Sequence, residues 1–131
     1  MINNEAELFE WLKREIYIDL AKSENPVSRW DCVSYLHDAR IELKCRKVHY
    51  PTLLLEQKKY DAMMAFYRED GIRPLYINST PEGIYSFELH KLGELAFETN
   101  WLNPKTTHFS NNNRVPKSVT YLDLMWGDKL L

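Results

Sequence analysis

The chain has 131 residues, the usual size of one domain, and its 44% hydrophobic and 13% aromatic content excludes a disordered or low-complexity protein. A formal net charge of -2 gives no bulk signal for a nucleic-acid partner, so the local distribution of charge matters more. No run approaches the ~18 apolar residues of a membrane span, "MINNEAELFEW" has no basic or apolar signal-peptide region, and two cysteines make no disulfide framework, so a cytoplasmic protein without membrane association is expected.

"NNEAELFEWLKREIYIDLAK" carries a helical period, with Leu8, Leu12 and Ile16 on one stripe and Phe9 and Leu20 beside it. Asn3 or Asn4 caps its start, and "SENP" ends it because Pro26 disfavours the α conformation at Asn25. "SRWDCVSYL" (28–36) and "ARIELKCRK" (39–47) are rich in strand formers and predict a β-hairpin turning at His37-Asp38. "YPTLLLEQKKYDAMMAFYRED" (50–70) predicts a helix with Pro51 in its first turn and Gly71 past its end. "IRPLYINST" (72–80) and "IYSFELHKL" (84–92) predict two further strands around a "PEG" turn. Beyond Leu92 the signal weakens to extended segments and loops, with a short closing element near "VTYLDLMW". One domain over 1–131 is expected, with its core at about 4–92 and an irregular tail over 93–131.

Charge is uneven along this order. Residues 1–24 hold six acids against three bases, whereas residues 40–59 hold six bases (Arg40, Lys44, Arg46, Lys47, Lys58, Lys59) against two acids. Strand alternation puts Glu42 and Lys44 on one face and Ile41, Leu43 and Cys45 on the other. A two-residue turn pairs Val33 with Glu42 and Asp31 with Lys44, which makes Asp31 the diagonal neighbour of Glu42. A register moved by two residues keeps that shared face, and a move by one destroys it.

Two carboxylates on a half-buried sheet are costly without a cation between them. Mg²⁺ takes oxygen ligands of this kind, stabilises charge at a phosphodiester and lowers the pKa of an attacking water. A lysine two residues along the strand is placed to orient that water or offset the developing negative charge. Glu-x-Lys is also common on surface strands, so the pattern gains weight only from Asp31 arriving in register and from the basic segment that follows. Cys32 and Cys45 share the apolar face and read as buried thiols, since a zinc site would need more ligands at tighter spacing. The four histidines are dispersed, and none has a nucleophile partner in a familiar motif.

"WDCVSYLHDARIELKC" resembles the site of the PD-(D/E)xK nuclease superfamily, the restriction-endonuclease-like fold, with Asp31 followed by Glu42-Leu43-Lys44. The likeness covers about residues 4–80. It implies an α/β (α+β) protein with an αβββαβ core, a mixed β-sheet flanked by helices, and the activity of a small resolvase-like or RecB-like endonuclease. By the same likeness Asp31, Glu42 and the Leu43 backbone carbonyl would hold Mg²⁺ or Mn²⁺, and Lys44 would be the catalytic lysine. A first-helix glutamate often joins such sites; Glu5 is the choice, with Glu7 and Glu15 open. Arg46, Lys47, Gln57 and Lys58 would contact nucleic acid, and Tyr60 lies beside them. Trp30 stands where the family has proline, and only two strands are evident before the second helix; a first strand would lie in "NPVSRW" or be missing. The expected partner is DNA, branched or duplex, cut by a homodimer with one site per strand, and a stand-alone nuclease of this size suits phage or mobile-element biology. The alternative is a catalytically silent nuclease fold that binds nucleic acid or a protein.

Overall fold

The computed structural model describes residues 1–24, 30–102 and 114–131. Its first element, α1 (Glu5–Glu15), is capped by Asn4, whose side chain accepts from the Glu7 N–H at 2.8 Å. The helix stops well short of its predicted end. Ile16, Tyr17 and Ile18 are β-branched or aromatic and lose side-chain freedom in a helix, and Tyr17 is buried outside it. The chain then supplies β1 (Ala21–Lys22), which pairs with β2 (Cys32–Ser34), so the main sheet has a third strand before the second helix. The "NPVSRW" alternative falls mainly on residues 25–29, outside the described residues.

β2 pairs with β3 (Ala39–Cys45) through Cys32↔Ile41, Val33↔Arg40 and Ser34↔Ala39. The expected two-residue turn is therefore a four-residue loop over 35–38, and the register moves by two residues. His-Asp lacks the glycine or asparagine that a two-residue turn wants. The loop instead puts Asp38 at a positive φ of 49° and is gripped by Asp19, which accepts from Ser34 Oγ at 2.5 Å and the Leu36 N–H at 3.0 Å. Those two hydrogen bonds hold the Asp19 carboxyl below its ordinary pKa, the backbone one most strongly. Because the shift is by two, Glu42 and Lys44 keep their shared face.

Thr52–Glu56, predicted as helix, is strand β4, and α2 begins only at Gln57 and runs to Asp70, closed by Gly71 at φ 75°. The partner that claims "TLLLE" is β8 (Val115–Asp123), which buries Leu53 and Leu55 against Leu122. Strand β5 (Arg73–Thr80) then lies parallel to β3, a pairing that requires the crossover α2 provides. β6 (Gly83–Glu88) returns antiparallel and gives way to a 3-10 turn at Leu89–Lys91, earlier than predicted. The tail is regular where described: β7 (Glu98–Leu102) and β8 complete a three-stranded sheet in the order β4-β8-β7, and β9 (Asp128–Lys129) edges the main sheet.

The main sheet, β1-β2-β3-β5-β6-β9, is mixed and has two unlike faces. Leu8, Phe9 and Leu12 of α1 cover Ile41, Leu43, Leu75 and Ile77 on one. On the other, α2 and the small sheet pack Met63, Leu55 and Leu122 against Tyr76 and Phe87. The molecule is thus α+β, a mixed sheet between helices, and the αβββαβ order is met within the main sheet by β1–β3 and β5, with β4 of the small sheet inserted before α2.

Candidate active site

Glu42, Lys44, Tyr76 and Asn78 share the second face, since β3 and β5 pair Glu42 with Tyr76 and Lys44 with Asn78. β2 begins only at Cys32, and Asp31 sits at the bend before it, its N–H on the Ile41 carbonyl at 3.0 Å. The Asp31 side chain then takes the place of a strand partner: Oδ2 accepts from the Leu43 N–H at 2.7 Å. The N–H and carbonyl of one strand residue point the same way, so the Leu43 carbonyl also faces Asp31. The sheet therefore brings Asp31, Glu42, the Leu43 backbone and Lys44 to one stretch of β3.

Glu42 is only 5% exposed. Burial and the neighbouring Asp31 charge push its carboxyl up to about 7, against the pull of Lys59. The Lys59 ammonium lies 3.0 Å from Oε2 as its ion-pair partner, and no other donor reaches that buried oxygen. An under-satisfied carboxylate oxygen with a second carboxylate beside it and a peptide carbonyl nearby is a donor set that fits a hard divalent cation. Among the described residues no group of three or more His, Cys, Asp or Glu is close enough for a metal. Glu5 is exposed in the first turn of α1 and is not assembled with Asp31 and Glu42. Glu7 is used at the helix cap, within 3.3 Å of the Asn3 and Asn4 amides, and Glu15 pairs with Arg14 at 3.0 Å.

Beside Lys44 opens a cavity of ≈ 200 Å³ lined by Lys44, Lys59, Lys117, Arg46 and Glu56, with Leu54 and Leu102 of the small sheet as one wall; Asp31 and Glu42 themselves do not line it. Lys117 is held by Glu56 at 2.6 Å. Lys59 belongs to the basic 40–59 segment that the sequence offers for phosphate contacts, and Lys117 ends the polar stretch 108–117, which reads as a surface loop before a DNA-contacting one and lies mostly outside the described residues. Lys59 was legible: it lies one turn before Met63, the buried residue of α2, and so on its inward face. Lys117 was not, because only the pairing of β8 with β4 and β7 carries it there.

The other candidates separate. Lys47 and Lys58 are exposed. Gln57 accepts from Ser118 Oγ at 2.6 Å, and the Tyr60 ring packs on Phe97 at 5.4 Å. Arg46 turns inward: Nε donates to Asn78 Oδ1 at 3.0 Å, and Nη2 donates to the Leu54 carbonyl at 2.9 Å and Tyr76 Oη at 2.8 Å. It is a bracket between the two sheets, which departs from its expected role as a phosphate contact. Trp30 packs edge-on against Phe66 at 4.7 Å, with the Arg40 guanidinium 4.6 Å from its ring, so it braces the approach to Asp31. Cys32 is buried, with its thiol pushed up to about 12 by burial, and Cys45 is half-buried; both are free.

No family model matches the sequence, and no curated protein does. Among solved structures the chain is similar to Archaeoglobus fulgidus Hjc, a Holliday junction resolvase from an archaeal hyperthermophile. The TM-score is 0.57 and the identity 16%, over 94% of this chain and 89% of that one. This bears out the expected fold, a mixed β-sheet flanked by helices, as one shared with that resolvase.

Proposed function

We propose that this protein is a metal-dependent nuclease of the PD-(D/E)xK type that hydrolyses phosphodiester bonds in DNA. The observation that carries the reading is the convergence of Asp31 and Glu42 on a buried face, one strand position from Lys44. Asp31, Glu42 and the Leu43 carbonyl would hold Mg²⁺ or Mn²⁺. When bound, such an ion polarises the phosphate and lowers the pKa of a water. Glu42 must surrender its proton and its Lys59 partner to serve as a ligand, so its raised pKa couples ion uptake to proton release. Lys44 orients the attacking water and offsets negative charge on the phosphate oxygens. Lys59 and Lys117 line the same cavity and hold the flanking phosphates. The likeness to a resolvase supports a branched substrate and a homodimer with one site per strand.

The Lys59–Glu42 ion pair favours a second reading, a fold that binds DNA without cutting it. The test is to incubate the protein with branched, duplex and single-stranded DNA in Mg²⁺, Mn²⁺ or EDTA, beside Asp31→Ala and Lys44→Ala variants. The nuclease reading expects cleavage with metal only and its loss in both variants. Binding without cleavage under either metal replaces it with the second reading. Cleavage that persists in Lys44→Ala removes the role given to Lys44.

A further inference from the structure

A second groove runs out of the cavity beside Lys44. Arg46 and Leu54 line both, so the two are continuous. The groove, of ≈ 630 Å³, is formed by Lys47, Val48, Tyr50 and Pro51 on one side and by Leu54 and Tyr121 on the other. Its rings are open to solvent: Tyr50 is 60% and Tyr121 40% exposed. Tyr121 is nonetheless oriented, since its hydroxyl accepts from Asn100 Nδ2 at 3.0 Å. No carboxylate lines the groove, and both of its charged residues, Arg46 and Lys47, are cationic. Arg46 spends Nε and Nη2 inward, so Lys47 is the cation turned outward.

Flat apolar surface, aromatic faces and positive charge without an acid suit a polyanion that carries flat apolar rings. A peptide's apolar side chains would use the rings but not the charge; a paired duplex would use the charge but offers no free base face. We infer that this groove is a stacking subsite for one unpaired nucleobase of the strand whose phosphate lies at Lys44, with Lys47 on its backbone. The base stacks on Tyr50 or Tyr121, a contact tolerant of sequence because every base has a π-face. The subsite thus selects DNA with an unpaired nucleotide beside the cut. It rests on the nuclease reading and adds to it the means of substrate choice.

The test uses DNA substrates, single-stranded and branched, carrying 2-aminopurine at each position flanking the cut, with Ca²⁺ in place of Mg²⁺ to hold back cleavage. A fluorescence change confined to one flanking position is expected on binding. Tyr50→Ala and Tyr121→Ala should each weaken binding about tenfold and diminish that change, while Tyr121→Phe, which keeps the ring, retains both. Thermal melts of each variant separate lost stacking from lost fold, and the exposed Tyr50 gives a variant whose folding does not depend on the ring. Should both alanine variants bind and fluoresce like the wild type while wild type cleaves in Mg²⁺, the subsite is wrong and the nuclease stands. Wild type that neither binds nor cuts any of these substrates removes both.

Discussion

The two faces of the main sheet are built from alternate residues of the same strands, yet they are chemically unlike. Beneath α1, Ile41, Leu43, Leu75 and Ile77 pack against Leu8, Phe9 and Leu12, and their side chains are satisfied by packing. On the opposite face Glu42, Lys44 and Asn78 are drawn into a region that also buries Tyr76 and Phe87. Two buried polar atoms there, Glu42 Oε2 and Asn78 Nδ2, lack a hydrogen-bond partner, although the Lys59 ammonium lies 3.0 Å from Oε2; on the α1 face Ser79 Oγ lacks one as well. One face holds the strand in place; the other uses that rigidity to keep groups where they are costly.

The comparison can be broken most decisively by removing Lys44. In the proposed enzyme Lys44→Ala lowers the cleavage rate by ~10²–10⁴-fold, measured on metal-loaded protein, with little change in thermal midpoint. A variant that loses its fold instead would make Lys44 part of the support.

The apolar face should answer in the opposite way. Ile41→Ala is expected to cost ~2–5 kcal/mol of stability by urea unfolding, because Ile41 is wholly buried and the site cannot collapse around the void. Activity per folded molecule should change much less than stability does.

Glu42 tests the charged face for stored cost. In the unfolded chain its carboxyl ionises near 4.5, in the folded chain near 7. Between those values the folded state binds the extra proton, so stability falls as pH rises through that window and the loss is complete above it. Glu42→Gln, neutral throughout, should therefore gain ~2–3 kcal/mol on the wild type at pH 8 without divalent cation, and the gain should fade below the ordinary carboxylate pKa. Mg²⁺ or Mn²⁺ should raise the thermal midpoint of the wild type at pH 8 but not that of Glu42→Gln. An equal rise in both would place the ion elsewhere.

The smallest effect concerns the bracket between the sheets. Arg46→Met keeps the apolar stem and removes three hydrogen bonds, leaving Asn78 Oδ1 without its donor while the Leu54 carbonyl keeps the Tyr76 hydroxyl at 2.9 Å. A loss of ~1–2 kcal/mol in unfolding free energy is expected, with the small sheet exchanging its amide protons faster than the main sheet.

Much of the candidate site was legible in the sequence because strand alternation is local. Wherever β3 pairs, Glu42 and Lys44 share a side, and the apolar Ile41 and Leu43 say which side is the core. Even the wrong turn length did no harm, since the register moved by an even number of residues. The helix period likewise gave α1 its buried stripe.

What the sequence could not decide were pairings made at long range. "TLLLE" has the composition of either a strand or a helix, and β8, more than sixty residues away, made it a strand. That pairing carries Lys117 to the cavity, lets Arg46 bridge two sheets and sets Tyr121 beside Tyr50. Residue types and their spacing determined which groups could do chemistry. Only the tertiary structure decided which of them meet, because side-chain direction is set by nearest neighbours along the chain, whereas a cleft is made by segments whose proximity no local period records.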